Sequence, residues 1–315
     1  MEGIVLVSGT SNPLLSQKIS SLLKVPLTDP QIVRFANGEI YCEIAANVRG
    51  ADVFILQSTS APANDHLIEL LIMIDALKRA SAKTITAVIP HFGYARQDRK
   101  VAPRTPITAK LVADLLTVAG ATRVMTVDLH AGQIQGFFNI PFDNIFASPT
   151  LLQHIQKSLP LENLVCVSPD SGGVERVRQY AKKLKTDLAM IDKRRTGRNI
   201  ARAMNVVGEV ANRDCIIIDD MIDTAGTLVE AAKALKQAGA QNIYACASHG
   251  IFSSPAVERI NSCEELQQIF VTDTILPSAE VQSFGHKIHS LSIADLLAKA
   301  IERTFNNDSV SSLFV

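Results

Sequence analysis

CIIIDDMIDTAGTLVEAAKALKQAG, residues Cys215 to Gly239, decides the reading of this chain. Its first four residues are apolar and lead into Asp219 and Asp220, so a strand is expected to end at that pair. Asp223, Thr224, Ala225, Gly226 and Thr227 then form a loop of small residues, and a helical stretch follows at once. An apolar run that turns through Gly and Thr into a helix is one βα step of a parallel α/β sheet. Such a turn surrounds a phosphate with backbone N–H groups and hydroxyls at the positive end of the helix, which makes a phosphate monoester the natural ligand. Asp219 and Asp220 would repel that phosphate, and their oxygens suit the hydroxyls of a sugar instead.

Outward from this segment the pattern recurs. Val/Ile-rich runs start at Ile4, Val53, Ile85, Val124, Leu164, Ile243 and Ile269, separated by longer helical stretches. This alternation predicts mostly parallel sheets flanked by helices. Polar clusters close several runs (HFGYARQD, DLHAGQ, PDSGG, SHG) at the strand ends where open α/β sheets bind ligands. The chain also repeats itself: Ala76–His91 and Ala234–His249, 158 residues apart, agree at 8 of 16 positions. Two tandem domains from one ancestral unit explain the repeat, although Ala-rich helix-to-strand passages also resemble one another by chance. The expected division is residues 1–147, a degenerate first domain, and residues 148–315, which carry the phosphate loop, with a C-terminal tail free to dock on the first domain. Subtracting 158 from the phosphate loop lands on Asp65–Glu69, DHLIE, which lacks its Thr and Gly elements. One site per chain is therefore expected. From Leu67 to Ile74 only Glu69 is polar, so that helix needs cover on most of its circumference, either inside its own domain or at a subunit interface.

Composition narrows the class. The 315 residues are 47% hydrophobic and 20% charged, enough for two cores and against extended disorder. Lys plus Arg and Asp plus Glu both number 31, so no general attraction to nucleic acid or anionic membrane exists, and anions must be held by local clusters. The longest apolar run falls far below the roughly 20 residues of a membrane span. The N-terminus lacks the basic start of a signal peptide, and a cytoplasmic location is expected. Cys42, Cys166, Cys215, Cys246 and Cys263 show no C-x-x-C spacing and read as free thiols of a reducing compartment.

The DD-x-x-DTAGT pattern resembles the ribose-5-phosphate loop of type I phosphoribosyltransferase folds. RFANGE (34–39), HFGYARQDRK (91–100), PITAKLVADLL (106–116), DLHAGQIQGFFNIPFDN (128–144), VSPDSGG (167–173), IDKRR (191–195) and SHGIFS (248–253) extend the likeness over the whole chain, in order, to the ribose-phosphate pyrophosphokinases of class I. The resemblance implies two tandem type I phosphoribosyltransferase-like domains and transfer of the β,γ-pyrophosphoryl group of ATP to the anomeric hydroxyl of ribose 5-phosphate. Negative charge from both substrates then meets in one cleft, and magnesium and fixed cations are needed.

Carried over residue by residue, the likeness assigns Phe35, Asn37, Gly38, Glu39, Arg96, Gln97 and His130 to ATP, with Phe35, Asn37 and Glu39 supplied by a neighbouring subunit. It assigns His130, with Asp128 beside it, and Asp170 to two magnesium ions. Magnesium prefers oxygen, so the imidazole suits the ion's waters or the phosphates. Asp219, Asp220 and Asp223 to Thr227 take ribose 5-phosphate. Lys193 and Arg195 open the basic segment KRRTGRNIAR, which reads either as a solvated face or RNA patch, or as a lid whose two cations neutralise the transferring group. Arg49, Ser81, Arg104, Ser309 and Ser311 match an anion site for activating inorganic phosphate and inhibitory ADP in a homohexamer. Two positions depart from the family pattern. Asn139 follows Phe137 and Phe138 where many relatives carry a carboxylate, and Gly132 stands where some carry a side chain near the anion. An ordinary phosphoribosyltransferase would have one such domain. A non-catalytic regulatory paralogue would have lost the groups retained here, and a redox Rossmann enzyme would show G-x-G-x-x-G after its first strand.

Overall fold

The computed structural model describes residues 3–194 and 203–314. Two compact units emerge. The first takes residues up to Ala147 together with Thr274–Leu276 and everything from Ser292, and the second takes Ser148–Asp273 and Pro277–Leu291.

In unit 1 the chain runs β1 (Ile4–Ser8), α1 (Pro13–Leu23), β2 (Leu27–Thr28), β3 (Gln31–Arg34), β4 (Ile40–Glu43), β5 (Asp52–Leu56), α2 (Ala63–Arg79), β6 (Thr84–Ile89), α3 (Thr108–Ala119), β7 (Arg123–Val127) and β8 (Phe142–Ile145). Six strands form one sheet in the order β2-β1-β5-β6-β7-β8, parallel throughout, and β3 and β4 make a separate antiparallel hairpin. The sheet forms where the Val/Ile runs predict it. β5 and β6 are buried along almost their whole length, as strands covered on both faces must be.

The segment Leu67–Ile74 lies inside α2, and its one polar residue behaves opposite to its type. Glu69 is buried, whereas Ile68 is 47% exposed. Leu70, Met73, Ile74 and Leu77 pack with α3 and the sheet in the core of unit 1, each contributing about 1.5–3 kcal/mol of apolar burial. The cover expected for this helix is therefore largely supplied by its own unit.

Unit 2 contains α4 (Ser148–Ser158), β9 (Leu164–Ser168), α5 (Val174–Leu184), β10 (Asp187–Arg194), β11 (Ala203–Val207), β12 (Asp214–Ile222), α6 (Gly226–Gln237), β13 (Ile243–Gly250), α7 (Ala256–Ser262), β14 (Leu266–Thr272), α8 (Ala279–Phe284) and β15 (Ile288–Leu291). Its sheet order is β11-β10-β9-β12-β13-β14-β15, with only β11 antiparallel to its neighbour. Without β11, this is the strand order of unit 1. The repeated segments also match in structure: each is a helix end (α2 or α6), a turn and a central strand (β6 or β13).

The final helix, α9 (Ala294–Phe305), packs on α1 in unit 1, where Leu297, Ala300 and Ile301 are fully buried. Phe314, beyond it, meets Phe146 edge to face at 5.4 Å. Among the described residues no helix is long and apolar enough to cross a membrane.

Candidate functional site

The phosphate-type loop lies in unit 2 at the carboxyl end of β12. The strand does not stop at Asp219 and Asp220. It continues to Ile222, pairing Met221 with His249 and Ile222 with Gly250, because Ile222 is itself a buried strand residue. This corrects the expected strand end and places both carboxylates inside the strand, two residues before its end. Asp219 keeps 32% of its side chain exposed and Asp220 only 6%. Arg176, from the first turn of α5, bridges both, with its Nη1 3.6 Å from Asp219 Oδ1 and 3.5 Å from Asp220 Oδ1. Burial, and then the hydrogen-bonded carboxyl of Asp220, push the Asp219 carboxyl up to about 8, against the pull of Arg176. Near neutral pH the pair thus holds a proton, the expected outcome for like charges this close.

After the strand, Ala225 adopts a left-handed backbone at φ 58° and serves as N-cap of α6, with no side chain capping the helix. Its first turn thus begins without a side-chain acceptor, the arrangement a bound anion completes. The Arg259 guanidinium donates to the Thr224 carbonyl at 2.9 Å and steadies the loop from α7.

The neighbouring strand β9 ends in the loop of Asp170. Asp170 is exposed, and its Oδ1 accepts from the N–H groups of Gly172 (2.9 Å) and Gly173 (3.1 Å), while the Ser168 hydroxyl donates to its carbonyl at 2.7 Å. α5 starts directly after Gly173, again with no side-chain cap. Two helix N-termini thus follow β9 and β12, the adjacent strands at which the strand order reverses, and such a crevice is where open α/β sheets bind ligands. Lys193 lies on β10 with its backbone paired to Met204. Arg195 lies outside the described residues.

Unit 1 carries the residues assigned to the nucleotide. Phe35, Asn37, Gly38 and Glu39 form the tip of the β3–β4 hairpin, closed by Phe35 N–H to the Glu39 carbonyl and Gly38 N–H to the Phe35 carbonyl, both 2.8 Å. Gly38 has φ 92°, a turn conformation that disfavours side chains. Phe35 is 51% exposed and lies 6.1 Å from Tyr41. Arg34 at the hairpin reaches Asp65 at 2.9 Å, and the Tyr94 hydroxyl donates to Asn64, so the start of α2 ties together the hairpin and the turn holding exposed Arg96 and Gln97. Gln133 Nε2 in turn donates to Asp98 Oδ2 at 2.8 Å, linking that turn to the loop of His130. His130 is exposed. Asp128 bends the chain at φ 37° and accepts the Ala147 N–H on Oδ2 at 3.0 Å, which occupies one of its oxygens.

Among the described residues no three His, Cys, Asp or Glu side chains form a metal cluster. The carboxylates of Asp128 and Asp170 are oxygen donors of the kind magnesium takes, one or two from the protein with water for the rest. Of the residues that the likeness assigns to an anion site, Arg49 Nη1 donates to Ser81 Oγ at 3.3 Å, and Ser309 and Ser311 hydroxyls lie 2.9 Å apart beside Arg303, which donates to the Ser309 carbonyl at 2.7 Å. Arg104 adopts a left-handed backbone at φ 64°. Sequence reasoning missed Arg176 and Arg303. The first lies three residues after the SGG turn, a spacing that could have pointed to it, while the second is an ordinary helix residue.

Residues 4–120 match the family model of the N-terminal domain of ribose phosphate pyrophosphokinase, and residues 196–315 that of the phosphoribosyl synthetase-associated domain. The chain is 53% identical to ribose-phosphate pyrophosphokinase of Haemophilus influenzae over the full length of both. It is 55% identical to that of Agrobacterium fabrum over 98% of each chain. The crystal structure of phosphoribosylpyrophosphate synthetase from Mycobacterium smegmatis, 43% identical, superposes with a TM-score of 0.92 over 97% of this chain and 100% of that one.

Proposed function

The chain belongs to the ribose-phosphate pyrophosphokinase family, and from that premise we propose how its residues divide the work. The enzyme transfers the β,γ-diphosphoryl group of ATP to the C1 hydroxyl of ribose 5-phosphate. The sugar oxygen bonds to the β-phosphorus, the bond from that phosphorus to the α,β-bridging oxygen breaks, and AMP leaves. The hydroxyl proton passes to solvent or to a phosphate oxygen, since a loose transition state needs no strong base.

The loop Asp223–Thr227 receives the 5-phosphate at the uncapped start of α6, and Asp219 and Asp220 face the ribose hydroxyls, with Arg176 fixing their direction. Full-length identity above 50%, joined to this loop, carries the reading. Phe35, Asn37, Gly38 and Glu39 from a second subunit, with Arg96, Gln97 and His130, hold the nucleotide. His130, with Asp128 beside it, would hold the magnesium of the nucleotide, and Asp170 would hold a second ion near the ribose. The metal supplies charge neutralisation on the phosphates and a template for in-line attack. Lys193 and Arg195 neutralise the charge that grows on the transferring group.

The enzyme works in the cytoplasm as a homohexamer, activated by inorganic phosphate and inhibited by ADP at Arg49, Ser81, Arg104, Ser309 and Ser311. The exposed apolar residues of the hairpin, Val33, Phe35 and Tyr41, support a subunit contact there. ATP labelled at the β-phosphorus tests the chemistry: label is expected in the sugar product and not in AMP, and AMP only when ribose 5-phosphate is present. Formation of ADP with a singly phosphorylated sugar would overturn it.

A further inference from the structure

The two sheets share a strand order, so the crevice of unit 2 between β9 and β12 has a counterpart in unit 1 between β1 and β5. There the loop Gly9–Asn12, following β1, occupies the place of the Asp170 loop. The 158-residue offset aligns the last residue of α2, Arg79, with that of α6, Gln237, and sets Glu69 on Thr227 of the phosphate loop. Glu69 is 4% exposed. Its Oε1 accepts from the Thr10 N–H and from Gln57 Nε2, both at 2.8 Å, and its Oε2 accepts from the Thr10 hydroxyl at 2.8 Å. All three partners donate and the carboxyl accepts on both oxygens, the pattern of an ionised carboxylate. Gln57, 1% exposed, takes the next backbone donor, Ser11 N–H, at 3.0 Å.

One backbone N–H, a hydroxyl and a side-chain amide converge on a buried anion beside the strand-to-helix turn that follows β1, a donor set of the kind that surrounds a bound phosphate. In unit 1 the anion belongs to the protein. A Cβ on Gly9 would lie 2.3 Å from Gln57 Oε1 and 2.9 Å from Glu69 Oε1, so the loop has closed onto the two side chains. We infer that Glu69 is a built-in oxyanion filling a vestigial phosphate site, and that removing its carboxylate opens unit 1 to a small tetrahedral oxyanion such as phosphate or sulfate. The inference rests on the reading of Asp223–Thr227 as a phosphate loop, and it extends that reading: the first unit lost its ligand by acquiring an internal one.

Thermal unfolding of the full chain in chloride, phosphate and sulfate at matched ionic strength tests it. Glu69→Ala vacates the site, and Glu69→Gln keeps the volume but removes the charge. In chloride both variants are expected to melt below the unmodified chain. Phosphate and sulfate should then raise the midpoint of Glu69→Ala by several degrees more than that of the other two proteins, as expected when an anion binds only the native state. The unmodified chain and Glu69→Gln report anion binding elsewhere, the Asp223–Thr227 loop included, so failure here is distinguishable from failure of that site. An equal anion response in all three proteins overturns the inference, as does a Glu69→Gln variant as stable as the unmodified chain. Should Glu69→Ala not fold in chloride, its refolding yield in phosphate decides: recovery supports the built-in anion, and no recovery overturns it.

Discussion

Asp219 and Asp220 are adjacent carboxylates that differ in burial, and they share one guanidinium. Because folding raises the Asp219 pKa from 3.8 to about 8, the native state retains a proton that the unfolded chain loses. The stability this lends is complete below about pH 4 and is lost as pH rises through about 8. Asp220→Asn removes the neighbouring charge while burial, the larger cause, remains. The decline should still begin near pH 4 but end at lower pH, spanning a narrower range, as read from thermal midpoints across the pH series. An unchanged profile would mean that Asp220 contributes nothing to the shift. Lys193→Ala is expected to lower kcat by two to three orders of magnitude with ATP KM little changed, since losing one preorganised transition-state charge costs roughly 3–4 kcal/mol. A rise in KM alone would make Lys193 a ground-state binder. The strand-to-helix turn at residues 223–227 could be read directly, but the pairing of Arg176 with Asp220 could not, because it joins positions 44 residues apart in sequence through the adjacency of β9 and β12. The roles at position 69 were inverted: composition marked Glu69 as the polar break in an apolar helix, whereas tertiary hydrogen bonding buries it and leaves Ile68 outside.

At the scale of elements, the start of α6 separates binding from folding. A Cβ on Gly226 would approach Arg259 Nη1 no closer than 3.5 Å, an ordinary contact, and Gly226 does not occupy the left-handed region. Gly226→Ala should therefore fold with a thermal midpoint close to that of the unmodified chain, while its methyl group crowds the bound phosphate. KM for ribose 5-phosphate is expected to rise roughly tenfold or more, about 1.4 kcal/mol of lost binding, with ATP KM unchanged. A stable variant with unaltered kinetics would place the phosphate elsewhere. The central strands were legible because burial on both faces demands continuous Val/Ile runs. The hairpin β3–β4 was not, since its residues are all exposed or half-buried and form no long Val/Ile run. The edge strand β11 escaped for a similar reason, as half-buried and exposed residues alternate along its described positions.

For the whole molecule, control should be separable from chemistry. Arg49 with Ser81, and Ser309 with Ser311, form polar pairs apart from the β12–α6 loop in sequence, and Arg104 belongs to the same proposed anion site. Arg104→Ala is expected to weaken both phosphate activation and ADP inhibition while leaving unstimulated turnover largely intact. Light scattering on the same samples should report a hexamer. A fully active monomer, or kinetics indifferent to phosphate, would falsify this regulatory reading and leave the catalytic one standing. The doubled architecture could be read from the repeat because helix ends and central strands keep their residue types. The return of α9 to unit 1 had no local signal, for an amphipathic helix does not encode which sheet receives it.

That return has a consequence for synthesis. Unit 1 buries α1 against α9, so the first 147 residues leave the ribosome without the helix that completes their core. Domains commonly fold as they emerge, at about 5–20 residues per second. Here the amino-terminal body must wait on the order of ten seconds for the last two dozen residues, while unit 2 has all its strands earlier. Released chains that end at Leu291 should therefore show a protease-resistant second unit and a first unit still open to cleavage. A premature stop in the final helix would injure the opposite end of the gene product from the one it shortens.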